Sequence, residues 1–185
     1  MGYLKYMKKA FEEKGNDMMK DRMIAWRREP ATLRLERPTR IDRARALGYK
    51  PKQGVFVVRQ RVNRGGKMRP KHRKGRRSKH MRRKKVLDIS YQVIAEQRAS
   101  KKYNNCEVIN SYFVGKDGEH YWYEVILADR NSPVVKADRF LSNVIRRKDR
   151  VGRGLTSAAR KSRGQRRKGI GTEKSRPSKR AHWNK

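Results

Sequence analysis

The sequence lacks the cysteine pairs that cross-link small extracellular domains and the long apolar run that anchors a protein in a membrane. Its 185 residues include one cysteine, Cys106, so no disulfide can form within the chain. No run of about 18 apolar residues, the length that a membrane-spanning helix needs, is present. The opening MGYLKYMKKA has no apolar core of the secretory kind, and Tyr6 stands where a myristoylation pattern needs serine or threonine. We therefore expect a soluble intracellular protein with no membrane partner.

Acidic residues are also scarce, with 17 against 53 basic residues and a formal net charge of +36. Residues 59–85 hold 15 basic and no acidic residues, and residues 146–185 hold 16 basic and 2 acidic. Residues 103–145, by contrast, hold 4 basic and 6 acidic. Such an excess opposes a compact state unless a polyanion compensates it. Nucleic acid is the expected partner, because binding releases the counterions that its phosphates hold.

Patterns of catalytic and metal-binding residues are missing as well. The sequence contains no G-x-x-x-x-G-K-[ST] loop and no C-x-x-C pair. Cys106 opens a predicted strand, where a small buried thiol is the ordinary role, and no histidine has a carboxylate pattern that would make it a general base. We expect no enzyme, no catalytic residue, no metal site and no cofactor.

The near-neutral part of the chain predicts a β-hairpin. CEVINSYFVG (106–115) and HYWYEVILAD (120–129) are rich in β-branched and aromatic residues, and Asp117–Gly118 is a turn signal between them. Both faces of the second segment carry apolar side chains, so the pair should lie in a covered sheet. GVFVVRQRV (54–62) is another predicted strand, and it leads directly into the basic stretch.

Helical spacing of apolar residues predicts helices in most of the remaining core. One covers 88–100, and another is capped by Thr39 and stopped by Gly48. The first 28 residues predict two helices broken at Gly15–Asn16. The residues expected to pack in the core are Leu4, Met7, Phe11, Met19, Met23 and Trp26 in these two helices, Ile89, Val93 and Ile94 in the helix over 88–100, and Phe140, Leu141 and Val144 in a helix within 132–145.

These elements make an α+β core. We expect a single domain over residues 1–145, interrupted by a basic loop at 63–85, and a basic C-terminal extension over 146–185.

The basic loop is suited to phosphates rather than to bases. Residues 59–85 contain no Phe, Tyr or Trp, and stacking on unpaired bases needs aromatic rings. Its glycines and Pro70 discourage a continuous helix of the kind that enters a DNA groove. This favours an irregular arm among the phosphates of a folded RNA. In the extension, a short helix capped at Thr156 precedes a run of arginines, which suit bidentate phosphate contacts, and Trp183 is an aromatic that could stack.

Several segments resemble a known family. RPTRIDRARALGYKPKQGVFVVRQRVNRGG, INSYFVG, YWYEVIL, RGLTSAARKSRG and MGYLKYM are similar to the archaeal and eukaryotic type of large-ribosomal-subunit protein fifteen, a family distinct from the bacterial protein of that number. The resemblance implies a structural protein of the cytoplasmic ribosome, without catalysis. It also implies a three-layer α/β/α-like core around a small, mainly antiparallel sheet, with long rRNA-binding extensions.

The implied partners are large-subunit rRNA and neighbouring ribosomal proteins, with no homo-oligomer, and magnesium or potassium ions bound to rRNA could lie nearby. The compact length suggests an archaeal source. By motif match, the residues implied to face rRNA are Arg37, Arg40, Arg43, Arg45, Lys50, Lys52, Arg153, Thr156, Ser157, Arg160, Lys161, Ser162 and Arg163.

Further rRNA-binding candidates come from the basic loop and the extension. Those of the loop are Arg59, Arg61, Arg64, Lys67, Arg69, Lys71, His72, Arg73, Lys74, Arg76, Arg77, Lys79, His80, Arg82, Arg83, Lys84 and Lys85, where contact from Arg73 onward is inferred from charge alone. Those of the extension are Arg146, Arg147, Arg150, Arg166, Arg167, Lys168, Arg176, Arg180 and Trp183. The alternative function is a DNA- or chromatin-compacting basic protein, which the irregular arms disfavour.

Overall fold

An antiparallel sheet of four strands with helices on both faces forms the centre of the protein. The structure is a computed structural model that describes residues 2–76, 84–85, 87–167, 169 and 172–175, with the backbone alone for residues 14–17. The strands are β1 Thr32–Leu35, β2 Val55–Asn63, β3 Lys67–Met68, β4 Lys84–Lys85, β5 Cys106–Lys116 and β6 His120–Asp129. The helices are α1 Leu4–Arg28, α2 Ile41–Ala46, α3 Tyr91–Lys102, α4 Pro133–Ala137, α5 Arg139–Ile145 and α6 Ser157–Ser162, followed by a 3₁₀ turn at Glu173–Ser175.

The strand order in the main sheet is β1-β2-β6-β5, and all its pairs are antiparallel. The predicted hairpin is confirmed as β5 and β6, and the strand predicted at 54–62 is confirmed as β2. In the hairpin turn, a carboxylate oxygen of Asp117 accepts the backbone N–H groups of Glu119 and His120. This arrangement explains why an Asp-Gly sequence closes the hairpin.

The two faces of the sheet are covered by different helices, which confirms the α+β core and its three layers. On one face, Val57, Trp122 and Ile126 pack against α1, α2, α4 and α5. On the other face, Val125 and Leu127 pack against α3. Fully burying an aliphatic side chain contributes about 1.5–3 kcal/mol, so the apolar residues of β2 and β6, covered on both faces, contribute substantially to stability.

Strand β1 was not predicted. It pairs with the outer edge of β2, from Thr32 opposite Gln60 to Leu35 opposite Val57, and the Thr32 hydroxyl donates to the Gln60 side-chain oxygen at 2.6 Å. Four residues are too few for an alternating pattern to be recognised, and the neighbouring strand defines this segment.

The predicted break at Gly15–Asn16 is wrong, because α1 is one helix of 25 residues. A glycine inside a helix costs only about 1 kcal/mol, and packing of the C-terminal half on the sheet outweighs that cost. Met19 and Trp26 are buried there, and the Trp26 ring lies 5.9 Å from that of Trp122. The N-terminal half contributes less to the core than expected, since Met7 is exposed.

Two predicted helix starts are corrected. Thr39 does not cap α2; its backbone N–H instead donates to the carboxylate of Glu124 at 3.1 Å, while Arg40 holds the cap position without a side-chain bond. Helix α3 begins at Tyr91 rather than near residue 88, because the Ser90 hydroxyl accepts from the Val93 backbone N–H. The predicted stop of α2 at Gly48 is confirmed by its φ of +98°.

Besides Met7, two more residues expected in the core are exposed instead. Ile89 lies before α3 begins and is 42% exposed, and Phe140 of α5 is 51% exposed. Helix α5 buries the residues on its other side, Leu141 and Val144, as predicted. The register of α5 is set by Asp138, whose side chain accepts from the first turn.

The segment 146–163 packs on the core, although the sequence pattern predicts an extension there. Val151 joins the cluster beneath α3, and Ala158 and Ala159 pack against Val93. The predicted cap is confirmed, since the Thr156 hydroxyl accepts from the Ala159 backbone N–H at 3.3 Å. Packing therefore continues past the predicted boundary at residue 145.

A buried carboxylate joins this segment to the sheet. Glu96 of α3 is fully buried, and its two oxygens accept hydrogen bonds from the hydroxyls of Ser111 on β5 and Thr156 before α6. The Ser111 hydroxyl in turn accepts from the Gln92 amide at 2.9 Å. Burial raises the pKa of Glu96, and the two hydroxyl donors and Arg150 partly offset that effect. The carboxyl group of Glu96 thus connects α3, β5 and the start of α6.

The free edge of β5 is covered by the same segment. The strand has a register irregularity after Val108, and the Arg150 guanidinium donates to the carbonyl oxygens of Val108 and Ile109. The Glu107 carboxylate accepts the backbone N–H groups of Asp149 and Arg150 at 2.8 and 3.3 Å. Edge groups that would otherwise be open to another strand are satisfied internally.

Gly54, just before β2, cannot be replaced without strain. Its φ is +82°, and an added Cβ would lie 2.6 Å from Ser132 Cβ and 2.9 Å from Val135 Cγ2. We expect Gly54→Ala to lower the free energy of unfolding by roughly 2–3 kcal/mol, from the backbone conformation and the overlap together. Gly118→Ala is the matched control, since nothing lies within 4 Å of its added Cβ. Urea denaturation of both variants measures the difference, and equal stabilities would contradict this account.

Candidate RNA-binding surface

The exposed basic residues that are predicted to bind rRNA lie on three parts of the fold. One is α2 with the segments beside it, over 37–52; the second is the arm, which we define as residues 63–76 with β4; the third is 146–167. Nine predicted site residues lie outside the described residues, namely Arg77, Lys79, His80, Arg82, Arg83, Lys168, Arg176, Arg180 and Trp183.

The arm is attached to the sheet at its base. The Tyr91 hydroxyl bonds both backbone groups of Gly65, at 2.9 and 3.2 Å, and the Tyr91 ring stacks on Tyr121 at 4.9 Å. Arg64 donates to the Asp117 carbonyl oxygen at 2.5 Å and lies over the Tyr121 ring. An aromatic stack and a backbone clamp therefore fix where the arm leaves the protein.

Beyond this base the arm offers only exposed side chains. Every residue from 63 to 76 is exposed, and β3 and β4 pair over two residues each. No carboxylate lies within this part of the sequence, so nothing in the arm neutralises its own charge. The exposed predicted site residues of the described arm are Arg64, Lys67, Arg69, Lys71, His72, Arg73, Lys74, Arg76, Lys84 and Lys85.

In the first group, over 37–52, some charges are exposed and others are paired. Arg37 and Arg43 are exposed and make no ion pair within the described residues, and Arg45 is exposed beside the Tyr3 ring. Arg40 is half-buried, pairs with Asp42 at 2.9 Å and lies over Phe11.

Lys50 and Lys52 share one carboxylate in the same group. Their ammonium nitrogens lie 2.8 and 2.9 Å from Asp138 Oδ2. These two lysines hold the pKa of Asp138 well below its usual range, so that carboxyl stays ionised. One negative charge faces two positive charges, and a net positive charge remains for a ligand.

The third group lies on α6 and the turns around it. Arg160 and Arg166 line a cleft of about 470 Å³ between α2, α5 and α6. Arg166 donates to the Ser157 hydroxyl at 2.7 Å, and Arg163 lies against Gly154. The exposed predicted site residues of this group are Arg146, Arg147, Arg153, Arg160, Lys161, Arg163, Arg166 and Arg167, while Ser157 and Ser162 are half-buried.

Two predicted site residues have buried side chains that are bonded within the protein. Thr156 is fully buried in the Glu96 network. Arg59 is 7% exposed, lies 4.1 Å from the Trp26 ring centroid and pairs with Glu29. Sequence patterns could not distinguish these residues from surface ones, since basic residues surround both of them.

Arg61 and Arg150 also serve the fold. Arg61 donates to the Arg27 carbonyl oxygen at 2.5 Å and so caps the end of α1. Arg150 bonds the edge of β5. Neither guanidinium is as available to a ligand as those of the arm.

The prediction for Cys106 is confirmed by its placement. The thiol is free and buried at the start of β5, and burial, with Asp129 nearby, raises the pKa of Cys106 to about 11. The thiol is therefore protonated near neutral pH and is a poor nucleophile. No cluster of three potential metal ligands occurs among the described residues, and none of the described helices is long and apolar enough to span a membrane.

The sequence is similar to ribosomal proteins along almost its entire length. The family model described as Ribosomal L15 matches residues 2–182. Large ribosomal subunit protein eL15 of Methanocella arvoryzae is 52% identical over 165 residues, which cover 88% of this chain and 84% of that protein. The protein of the same name from Methanocorpusculum labreanum is 52% identical over 178 residues, which cover 96% of this chain and 92% of that protein. This chain therefore belongs to the eL15 family of large-ribosomal-subunit proteins.

Proposed function

We propose that this protein is a structural constituent of the large ribosomal subunit, in the cytoplasmic ribosome, where it binds folded rRNA and stabilises its tertiary structure. The observation that carries the proposal is the arm, an exposed segment without carboxylates that is clamped at its base to a stable sheet. A tethered loop loses less entropy when RNA orders it than a free tail of the same length does.

The mode of binding follows from the distribution of charge and aromatic rings. Neutralising about ten phosphates would give a logarithmic salt slope of about −7 to −9 without any sequence code. Recognition then depends on the shape of the RNA, because three separate basic surfaces on one small core require a folded partner. Neighbouring large-subunit proteins and rRNA-bound magnesium or potassium complete the expected surroundings, and no catalytic step is proposed for this protein, whose family is not one of enzymes.

Sedimentation of cell extract tests the assignment. The protein should travel with large subunits and stay with them through a moderate salt wash. Recovery mainly in the soluble fraction, or with free DNA, would contradict the assignment.

A binding comparison separates RNA from DNA as the partner. At matched salt, we expect higher affinity for folded large-subunit rRNA fragments than for duplex DNA of equal charge. Equal affinity for the two would favour a DNA-compacting protein instead.

A further inference from the structure

Phe140 is an aromatic side chain that the core does not use. It is 51% exposed at the start of α5, although Leu141 beside it is fully buried. The ring rests against Gly48, where an added Cβ would lie 3.4 Å from Phe140 Cε1. One edge of the ring thus lies against backbone, and about half of the residue's surface is open to solvent.

Two concave surfaces meet at this ring. One, of about 460 Å³, is lined by Lys50, Asp138, Arg139, Phe140 and Asn143. The other is the cleft of about 470 Å³, where Arg150, Arg160 and Arg166 lie on the side of α6.

The charges around the ring are almost all positive. The lining of the first surface includes one acidic residue, Asp138, which is already paired with Lys50 and Lys52, and the described lining of the second includes none. An occupant of this site therefore meets an aromatic face surrounded by unneutralised cations.

We propose that Phe140 is a stacking platform for one unpaired base of the RNA, with the phosphates on either side of that base held by Arg139 and Arg160. This inference rests on the proposed binding to rRNA. Sites for single-stranded nucleotides combine these two features, an aromatic face for the base and cations that follow the backbone.

Charge complementarity favours a nucleotide over a protein side chain at this place. An apolar protein segment would gain from the ring but would have to desolvate the surrounding guanidinium and ammonium groups. A base with its two phosphates makes use of both features.

The test uses full-length protein and large-subunit rRNA freed of protein. We expect Phe140→Ala to weaken binding by roughly five- to a hundredfold, with the logarithmic salt slope unchanged, because no cation is lost. Arg160→Gln should reduce the magnitude of the slope by about 0.7–0.9. Phe140→Trp should restore affinity, whereas Phe140→Leu, which keeps an apolar side chain without a ring, should not.

Phe113→Ala is the control for loss of an exposed ring, because Phe113 is 44% exposed and its ring contacts are Tyr121 and Tyr123. It should leave affinity near that of the parent protein. Thermal unfolding of each variant excludes loss of fold as the cause.

Three results would overturn the inference: unchanged binding by Phe140→Ala, full binding by Phe140→Leu, or an equal loss in Phe113→Ala. In each case rRNA binding by the parent protein would still stand. Failure of the parent protein to bind rRNA would overturn the proposed function as well.

Discussion

Glu96→Ala is expected to lower the free energy of unfolding by about 3–5 kcal/mol, because Glu96 is fully buried and bonds two other elements. The substitution leaves the hydroxyls of Ser111 and Thr156 without an acceptor in a buried place, and each such group costs about 1–3 kcal/mol. It also leaves a cavity between α3, β5 and α6.

The substitution should loosen the segment 146–163 in particular, in addition to lowering the stability of the whole protein. Because Thr156 caps α6 and bonds Glu96, we expect amide hydrogen exchange to increase first in 146–163. Urea denaturation measures the total loss. A loss below about 1 kcal/mol would show that the hydroxyls find other partners.

Glu96→Gln is the matched control, and it should stay within about 1 kcal/mol of the parent protein near neutral pH. The amide oxygen can still accept one hydroxyl hydrogen bond, and the neutral side chain avoids the desolvation that an ionised carboxylate suffers. Glu96→Gln removes the contribution of this carboxyl group to the pH dependence of stability.

The sign of that dependence follows from the raised pKa of Glu96. The folded state holds the proton more tightly than the unfolded state, where the pKa is about 4.5. The contribution of Glu96 to the free energy of unfolding is therefore greatest below pH 4.5, and it falls as pH rises through the pKa of Glu96 in the folded protein. In Glu96→Gln this fall should be absent, so the stability of the variant relative to the parent should increase with pH above 4.5. Denaturation at several pH values from 4.5 to 7.5 measures this, and a constant difference would contradict the raised pKa.

The covered hairpin could be predicted because both of its faces are visible in the sequence. In β6, Trp122 and Ile126 alternate with Val125 and Leu127, and the structure places each set on a different side of the sheet. The alternation along the strand was sufficient to predict this hairpin, because successive residues face opposite sides of the sheet and both sides are covered by helices.

Residues whose role depends on distant partners could not be predicted. Arg59 lies in a strand that also carries Arg61, and its core role comes from partners distant in sequence, including Trp26 and Glu29 about thirty residues away. Thr156 looked like a tail residue until Glu96 was placed beside it. Net charge by segment identified the basic surfaces, but it could not separate cations that bind a partner from cations that hold the fold together.

Phe140 is a residue that the apolar spacing predicts in the core and the structure leaves exposed. Its spacing with Leu141 and Val144 fits an apolar helix face, yet α5 is only seven residues long and presents one narrow side to the sheet. Periodicity detects apolar residues and does not indicate which of them a short helix leaves outside.

Replacing the six lysines and arginines of residues 66–76 in the arm with glutamine is expected to weaken binding to large-subunit rRNA more than any single substitution. The residues are Lys67, Arg69, Lys71, Arg73, Lys74 and Arg76, all exposed. If each contacts a phosphate, the magnitude of the logarithmic salt slope should fall by about 4–5, and affinity near 0.1 M salt by about four orders of magnitude.

The fold should not suffer from this change. No arm residue from 63 to 76 is buried, and removing six like charges reduces repulsion within the free protein. The free energy of unfolding should therefore be equal to or slightly above that of the parent. A loss of binding with intact stability separates a binding role of the arm from a structural one.

A control with the same change in net charge decides whether position matters. Six exposed cations outside the three basic surfaces serve this purpose, namely Lys5, Lys8, Lys9, Arg22, Arg28 and Lys101. Their replacement with glutamine should change the salt slope by much less than replacement of the arm cations, because α1 and the end of α3 lie outside the proposed contact surfaces. Equal slopes for the two variants would mean that rRNA responds to the total charge of this protein and not to the arm, which would remove the main support for recognition by shape.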